Sequence, residues 1–308
     1  MHDLPAEIER LYNRGLYRQA AEALNAAVQR EPQESSLYYW LGRCFYELRD
    51  YNRAISSLER SVALDTDRSE YHDWLGKAYG RKAQEASLFN AFFTISLARK
   101  SRHEFETAVK LDANNLEAQR DLIRYLLNAP GIVGGGEGTA EEHIQTLSMV
   151  DSIEGALAQA ELFVTHKKFD QADQEYRKVL DMKPGRIGVY FEIAEYYRDR
   201  GDAERMSNAI EAGAPLAPSD HRLAYYRGIA LVVGNRSPAE AERQLRNYLD
   251  SVPDNANVPS HSTAHEWLGK LYEREGQLDK AVQEYQAAVT LDPHDKQAAE
   301  ELKGLQKR

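Results

Sequence analysis

The sequence repeats itself, and this feature constrains the fold more than any other. YWLGRCFYELRDYNRAISSLERSVALDTD at 39–67 aligns with EWLGKLYEREGQLDKAVQEYQAAVTLDPHD at 266–295. Both segments contain Trp-Leu-Gly, then an aromatic residue three positions after the glycine, then alanine, an apolar residue four later, and Leu-Asp. Self-similarity of this kind indicates a repeat architecture, in which similar units stack along the chain.

The pattern resembles the tetratricopeptide repeat (TPR), whose period is about 34 residues. In that frame a large residue stands at position 4, Leu at 7, Gly or Ala at 8 and an aromatic residue at 11. Alanine follows at 20 and 27, an aromatic residue or Leu at 24, and proline at 32. The last repeat shows this pattern well, in Leu268, Gly269, Tyr272, Ala281, Tyr285, Ala288 and Pro293.

The resemblance covers nearly the whole chain and implies a single solenoid over residues 1–308. The repeats are predicted at 1–34, 35–68, 69–115, 116–153, 154–186, 187–220, 221–255 and 262–295, with a polar capping helix at 296–308. The fourth and sixth are the most degenerate, and Met206 stands where alanine is expected. The predicted fold class is all-α: a right-handed superhelical α-solenoid of about eight TPR helix pairs with a C-terminal capping helix.

Physical chemistry supports this fold independently of the family. Positions 4, 7, 8 and 11 lie on one helical stripe. Small residues at 8, 20 and 27 allow two antiparallel helices to approach closely, and glycine near position 15 is suited to the left-handed conformation that ends the first helix. Each pair leaves one face unburied, so the pairs must stack.

Composition narrows the function classes. The net charge of −10 argues against nucleic acid, which needs a basic surface, and disfavours anionic membranes. No apolar run approaches the roughly 20 residues of a membrane span. The start, MHDLPAEIER, lacks a signal-peptide pattern. We therefore expect either a cytoplasmic protein or an exported one whose leader has been removed.

An insertion interrupts the third repeat, at residues 80–100. Positions 11 and 20 correspond there to Tyr79 and Ser101, and 13 extra residues separate them, including an uncharged stretch from Leu88 to Ala98. In one interpretation both helices of the pair are extended and the apolar side chains bury one another. In a second, an apolar projection with Phe92 and Phe93 docks on a partner or on another copy of the chain. Membrane contact is a third alternative.

A glycine-rich loop at 129–138 interrupts the fourth repeat. Pro130 stops one helix, and Thr139 with Glu142 predicts a capping box at the start of the next. The loop lacks the Lys-Ser/Thr of a P-loop and follows a helix, so a structural role is favoured over phosphate binding. YGRKA at 79–83 and APGIVGGG at 129–136 resemble a bacterial TPR subgroup, often exported. A longer linker, at 255–264, precedes the eighth repeat.

The sequence contains no familiar catalytic or metal-binding motif. HExxH, GxSxG and Walker patterns are absent. His261 and His265 have ligand spacing, but packing or surface roles are favoured over a metal. Cys44 is expected to be a small buried residue rather than a catalytic thiol. We expect no enzyme activity, no cofactor and no metal.

The resemblance implies that the first helices line a concave groove, with positions 2, 5, 9, 12 and 13 facing it. Position 9 of repeats two to four holds Arg43, Lys77 and Arg124, with Arg120 and Arg81 nearby at positions 5 and 13. This ladder resembles the basic clamp by which some TPR domains hold a carboxylate, although the asparagines of that clamp are missing. Asp73 and Asp121 face the same region, and position 9 turns acidic at Glu161 and Glu195 before Lys270. Either the ladder prefers an acidic partner segment, or these charges form a mixed, solvated face.

The predicted function is a non-enzymatic protein–protein interaction module, an adaptor or assembly scaffold. The predicted partner-binding residues are Arg43, Lys77, Arg81, Arg120, Arg124, Phe92 and Phe93. The alternative is a self-assembling structural module, a homo-oligomer that associates through the apolar insertion at 88–98.

Overall fold

A computed structural model of the protein describes residues 6–85, 91–253 and 259–307. These residues contain 17 α-helices and divide into two compact units, Met1–Met182 and Lys183–Arg308. The helices of the N-terminal unit are α1 (Ala6–Asn13), α2 (Tyr17–Arg30), α3 (Ser35–Glu47), α4 (Tyr51–Leu64), α5 (Ser69–Glu85), α6 (Ala91–Leu111), α7 (Leu116–Asn128), α8 (Glu137–Val150), α9 (Ser152–Thr165) and α10 (Phe169–Asp181). The all-α prediction is confirmed.

The C-terminal unit contains three helix pairs and a final helix. Its helices are α11 (Ile187–Asp199), α12 (Ala203–Gly213), α13 (Arg222–Val233), α14 (Pro238–Ser251), α15 (His261–Arg274), α16 (Leu278–Leu291) and α17 (Lys296–Leu305). The helix α17 packs on α16 through buried Ala298, Leu302 and Leu305, as expected for a capping helix. In both units each helix packs on the next, so each unit is a stack of helix pairs.

Glycine at position 8 brings the two helices of a pair together. A Cβ atom built on Gly76 would lie 2.8 Å from the Phe105 ring, and one built on Gly269 would lie 2.7 Å from the Tyr285 ring. Gly42 and Gly228 stand in the same way against the leucine at position 24 of their own pairs. The predicted close approach at position 8 is confirmed, because any larger residue there would collide with the second helix.

The first helix of a pair ends in the left-handed conformation that was predicted, but the residue that adopts it is not always glycine. Gly15 and Gly276 both adopt φ 73°, the left-handed conformation that ends a helix. Arg49, Lys167 and Asn235 adopt similar angles where the sequence has no glycine. The backbone turn is therefore kept even where the residue that favours it is absent.

The third pair is longer than its neighbours. The helix α5 spans 17 residues and α6 spans 21, so both helices are extended, as one interpretation of the insertion expected. Ser101 is buried at their contact, where its hydroxyl donates to the Gly76 carbonyl at 2.8 Å. Leu88 and Phe89 lie outside the described residues, as does part of the linker at 255–264.

The helix after the glycine-rich loop begins earlier than expected. The helix α8 starts at Glu137, with Gly136 as its N-cap residue and no side-chain cap. The predicted capping box of Thr139 and Glu142 is therefore wrong, since Thr139 lies inside the first turn. The extended backbone of Gly136 directs the chain into the helix three residues sooner than the capping rule suggested.

Candidate functional site

The five predicted cations lie on the first helices of successive pairs in the N-terminal unit. Arg43 is on α3, Lys77 and Arg81 are on α5, and Arg120 and Arg124 are on α7. Their surroundings differ: Lys77, Arg120 and Arg124 pair with carboxylates, whereas Arg43 and Arg81 contact aromatic residues. Lys77 lies over the Trp74 ring as well.

Lys77 is surrounded by three carboxylates. Its Nζ is 2.8 Å from Asp73 Oδ2 and 3.0 Å from Asp121 Oδ2, and it also pairs with Glu117. Only 14% of the lysine side chain is exposed. Burial alone would lower the pKa of Lys77, but the three carboxylates outweigh burial and raise it. The ammonium group therefore stays charged and is neutralised within the protein.

The three carboxylates around Lys77 also have ligand atoms close enough together to hold a metal ion. The ammonium group of Lys77 already supplies a positive charge at this place. Its ion pairs with all three carboxylates account for the cluster without a metal ion. Asp73 is the most buried of the three, and its Oδ1 has no hydrogen-bond partner among the residues that the structure describes. Burial raises the pKa of Asp73 to about 7; Lys77 acts in the opposite direction and Asp121 adds to the rise.

We expect this carboxyl group to make stability pH-dependent. The pKa of Asp73 is higher in the folded state than the ordinary 3.8, so its contribution is fully present below about pH 4 and is lost as the pH rises through about 7. Asp73→Asn removes that titration. Relative to wild type, the variant should therefore gain roughly 1–4 kcal/mol of unfolding free energy between about pH 4 and pH 7.

Urea denaturation across this pH range measures the effect. Asp181→Asn, at an exposed position of α10, is the matched control and should follow wild type at every pH. A constant difference between Asp73→Asn and wild type would contradict the raised pKa.

Arg120 and Arg124 join α7 to α9. Arg120 Nη1 lies 2.9 Å from Glu154 Oε2, and both side chains are only 8% exposed. Arg124 Nε lies 2.9 Å from Glu161 Oε1, and its Nη1 lies 3.1 Å from Asp121. These arginines therefore bridge neighbouring pairs in the stack. Their charges are neutralised by carboxylates of the same unit.

Arg43 lies among aromatic rings instead. Its guanidinium carbon is 4.1 Å from the centre of the Trp40 ring, 4.5 Å from that of Trp74 and 4.6 Å from that of Tyr12. Its Nη1 donates to the Tyr39 hydroxyl at 3.3 Å. Among the described residues no carboxylate lies within ion-pair distance of this arginine, which makes its interactions mainly cation–π contacts.

Arg81 stands beside the same rings. It is exposed, and its Nε donates to the Tyr46 hydroxyl at 3.3 Å, while the Tyr46 ring packs edge-on against Trp74 at 5.3 Å. It too has no carboxylate within ion-pair distance in the described parts of the chain. Burial raises the pKa of the neighbouring Glu47 carboxyl above its ordinary value. Arg43 and Arg81 act in the opposite direction and lower it.

Phe92 and Phe93 lie in the first turn of α6. Phe92 is 90% exposed and Phe93 is 45% exposed, whereas Leu97 of the same helix is buried. The apolar insertion is therefore divided: its later part packs against α5, and these two aromatic rings face outward.

Three other residues of interest, Cys44, His261 and His265, have structural environments. Burial raises the pKa of the fully buried Cys44 thiol to about 12, so it remains protonated, as expected for a packing residue. His265 Nδ1 lies 2.6 Å from Glu284 Oε2, and His261 Nε2 lies 3.0 Å from the Val252 carbonyl. Each histidine is thus held by a protein partner.

Sequence reasoning missed two parts of this region. Glu117 and Glu154 complete the ion pairs; both stand at position 2, which the repeat pattern marks as groove-facing, but the sequence analysis did not single them out. The aromatic surroundings of Arg43 were missed as well. A signal for them exists, because Tyr39, Trp40 and Trp74 are unusually large residues at the predicted crossing of α3 and α5.

Comparisons with known proteins agree with this architecture. The family model described as tetratricopeptide repeat matches residues 6–69 and 232–296. No curated protein matches the sequence significantly. Among the helices of the described residues, none has both the length and the apolar character that a membrane crossing requires.

Several solved structures share the fold at low sequence identity. Yeast Tom70 is 14% identical with a TM-score of 0.66, and the match covers 94% of this chain and 58% of Tom70. The human IFIT1 dimer with m7Gppp-AAAA is 14% identical with a TM-score of 0.60, over 94% and 67% of the two chains. The Cut9–Hcn1 assembly of the APC/C is 12% identical with a TM-score of 0.50, over 97% and 54%.

At these identities the similarity shows the fold alone, and this chain spans little more than half the length of Tom70. The repeat positions, the paired helices and the family match all indicate tetratricopeptide repeats. Residues 6–69 and 232–296 therefore belong to the tetratricopeptide repeat family, and the chain has the all-α solenoid fold of proteins built from such repeats.

Proposed function

We propose that the protein is a non-enzymatic adaptor or assembly scaffold that binds a segment of a partner protein along the first helices of its N-terminal unit. Proteins of this repeat family generally serve as protein–protein interaction scaffolds. The observation that carries the proposal concerns Arg43 and Arg81, neither of which has a carboxylate within ion-pair distance in the described parts of the chain. Arg43 lies over aromatic rings, and Arg81 donates to the Tyr46 hydroxyl.

We call the area formed by Arg43, Arg81, Trp40, Tyr46 and Trp74 the arginine–aromatic surface. Tryptophan, tyrosine and arginine are the residues that most often dominate the energy of protein interfaces. The partly exposed rings of Trp40 and Tyr46 offer contact area at a small entropic cost, and the arginines offer bidentate hydrogen bonds to a carboxylate. This combination suits a segment that carries an acidic residue next to an apolar one.

The ion pairs refine the predicted ladder. Lys77, Arg120 and Arg124 already face carboxylates of α5, α7 and α9, so an acidic segment would have to displace those groups to reach them. The proposed acid-binding role therefore falls on Arg43 and Arg81, while the other three cations hold neighbouring pairs in position. The acidic residue at position 9 of the next pair, Glu161, is itself paired with Arg124.

Three further parts of the proposal rest on sequence. The net charge of −10 supports protein rather than nucleic acid as the partner. The absence of catalytic motifs supports a binding role. The PGIVGGG loop supports membership of the bacterial subgroup that it resembles.

Crosslinking tests the proposed surface. A photoreactive phenylalanine analogue placed at Trp40 should capture a partner in cells of the native organism, and Arg81→Glu should weaken that capture about tenfold because it reverses an exposed charge at the surface. Added salt should weaken capture by the otherwise unmodified protein as well.

Arg30→Glu, an exposed arginine on the second helix of its pair, is the matched control and should leave capture unchanged. Capture that persists in Arg81→Glu, or that is equal for an analogue placed at Arg30, would contradict the arginine–aromatic surface.

A further inference from the structure

The two insertions of the sequence meet on one face of the molecule. Arg99 of α6 donates from Nη2 to the Ile132 carbonyl at 3.1 Å. The Tyr125 hydroxyl lies 2.8 Å from the Ala98 carbonyl and 2.9 Å from the Val133 carbonyl, and so links α6 to the glycine-rich loop. Two departures from the repeat, more than 30 residues apart in sequence, therefore form a single surface.

The glycines of the loop make this contact close. Gly134 adopts φ 93°, and a Cβ atom there would collide with the Arg102 side chain that lies across it. At Gly135 a Cβ atom would collide with the Ala129 carbonyl. The 3-10 turn Gly131–Val133 is thereby held against α6, with Val133 buried and Ile132 directed outward.

Two adjoining concavities lie on this face. One, of about 330 Å³, lies between α6 and the turn and is lined by Arg99, Arg102, His103 and Ile132, among others. The other, of about 430 Å³, runs along α6 and is lined by Phe92, Ile95, Arg99, Lys100 and His103, together with Ser96. Arg99 and His103 line both, so the concavities form one continuous depression.

Positive charges outnumber negative ones in the depression, which Arg99, Arg102 and Lys100 line together with one carboxylate, Glu106. Residues 96–103 contain three Arg or Lys residues and no carboxylate, in a chain whose net charge is −10. Arg102 is paired with Glu106 at 2.7 Å. Among the described residues no carboxylate lies within ion-pair distance of Arg99 or Lys100.

The margins of the depression are apolar. Phe92 is 90% exposed at one end, and Ile132 is 66% exposed at the other. Large apolar side chains left in water beside cations that have no carboxylate partner within the described ranges are typical of an interaction site rather than of an ordinary solvated face.

We infer that this face of α6, formed by Phe92, Phe93, Arg99, Lys100, His103 and Ile132, is a second docking surface, and that it binds a short acidic segment of another protein whose apolar side chains alternate with carboxylates. The carboxylates pair with Arg99 and Lys100, and the apolar side chains cover Phe92 and Ile132. This surface lies on the second helix of its pair and does not depend on the arginine–aromatic surface.

Two other occupants fit the surface less well. In a two-fold symmetric dimer built on this face, Arg99, Lys100 and His103 would approach their own copies, and like charges would oppose one another. A bilayer is flat and does not fill the concavities, and the charge of the whole chain opposes an anionic lipid surface.

Peptide selection tests the inference. A phage library of random short peptides is first depleted on the full-length Phe92→Ser/Arg99→Glu variant, which removes peptides that bind elsewhere, and is then selected on the wild-type protein. The enriched peptides should combine Asp or Glu with Leu, Ile or Phe. Each single variant should bind them about tenfold more weakly, and Ile132→Ser should do so as well.

Lys110→Glu, an exposed charge reversal elsewhere on α6, is the matched control and should bind as wild type does. The melting temperature of Phe92→Ser should match wild type, because the ring is exposed. Failure to enrich peptides, enrichment of basic or uncharged peptides, or equal binding by the variants would overturn the inference. Binding to phosphatidylserine vesicles that Phe92→Ser abolishes, or a dimer in light scattering that the same variant dissociates, would assign the face to a membrane or to a second copy instead.

Discussion

Lys77→Met is expected to lower the free energy of unfolding of the N-terminal unit by about 3–5 kcal/mol at about pH 8, the usual cost of removing one partner from a buried ion pair. Methionine retains the length and apolar stem of lysine, so the change isolates the charge. It leaves Asp73, Asp121 and Glu117 close together without the ammonium that neutralises them. The loss should shrink as the pH falls, because Asp73 then takes up a proton.

Urea denaturation, with hydrogen exchange of the α5 and α7 amides to locate the effect, measures this change. Lys110→Met removes an exposed charge from α6 and should alter stability by less than about 0.5 kcal/mol. Asp73→Asn should restore part of the stability of Lys77→Met, since fewer like charges remain. A loss below about 1 kcal/mol for Lys77→Met would mean that the network behaves as ordinary surface pairs do.

Tyr285→Ala is expected to destabilise the C-terminal unit by about 3–5 kcal/mol, since it empties a fully buried site between α15 and α16. Gly269→Leu should also destabilise, by about 1–3 kcal/mol or more, because its side chain would meet the Tyr285 ring. Together the two changes should cost less than the sum of the separate losses by at least about 1 kcal/mol, because the new leucine enters the space that the ring leaves.

A double-mutant cycle in urea denaturation, followed by circular dichroism, measures this coupling. Gly188→Leu on α11 is the matched control, because a Cβ atom there meets nothing within 4 Å. It should leave stability unchanged or raise it by up to about 1 kcal/mol through helix propensity. Strictly additive losses at 269 and 285 would show that the helix approach at position 8 is not governed by this pair.

Much of the helix packing could be predicted from sequence because it depends on residues within one repeat. Gly76 and Phe105 illustrate this: the pattern predicted a small residue facing a large one, and the insertion between them lengthened both helices without moving that contact. Cys44 was likewise placed correctly as a buried residue, since its position follows from helical periodicity. Local spacing is sufficient wherever the interacting residues belong to the same helix or the same pair.

The start of α8 shows where local rules fall short. Thr139 and Glu142 fit a capping pattern, yet the backbone enters the helix at Glu137, because the loop is held against α6 by Tyr125 and Arg102. A contact with another repeat outweighed a preference encoded in four neighbouring residues.

The candidate sites divide in the same way. The sequence alone determined that cations occupy one repeat position on α3, α5 and α7, and that Phe92 lies within an uncharged stretch. Only the tertiary structure decided that Lys77, Arg120 and Arg124 are paired with carboxylates of neighbouring helices, that Arg43 lies among aromatic rings, and that the two insertions form one face. The physical reason is the range of the interactions along the sequence. Periodicity specifies which side of its own helix a residue occupies. The partner that the residue meets there depends on side chains from repeats more than 30 residues away, which come within a few ångströms only when the pairs stack.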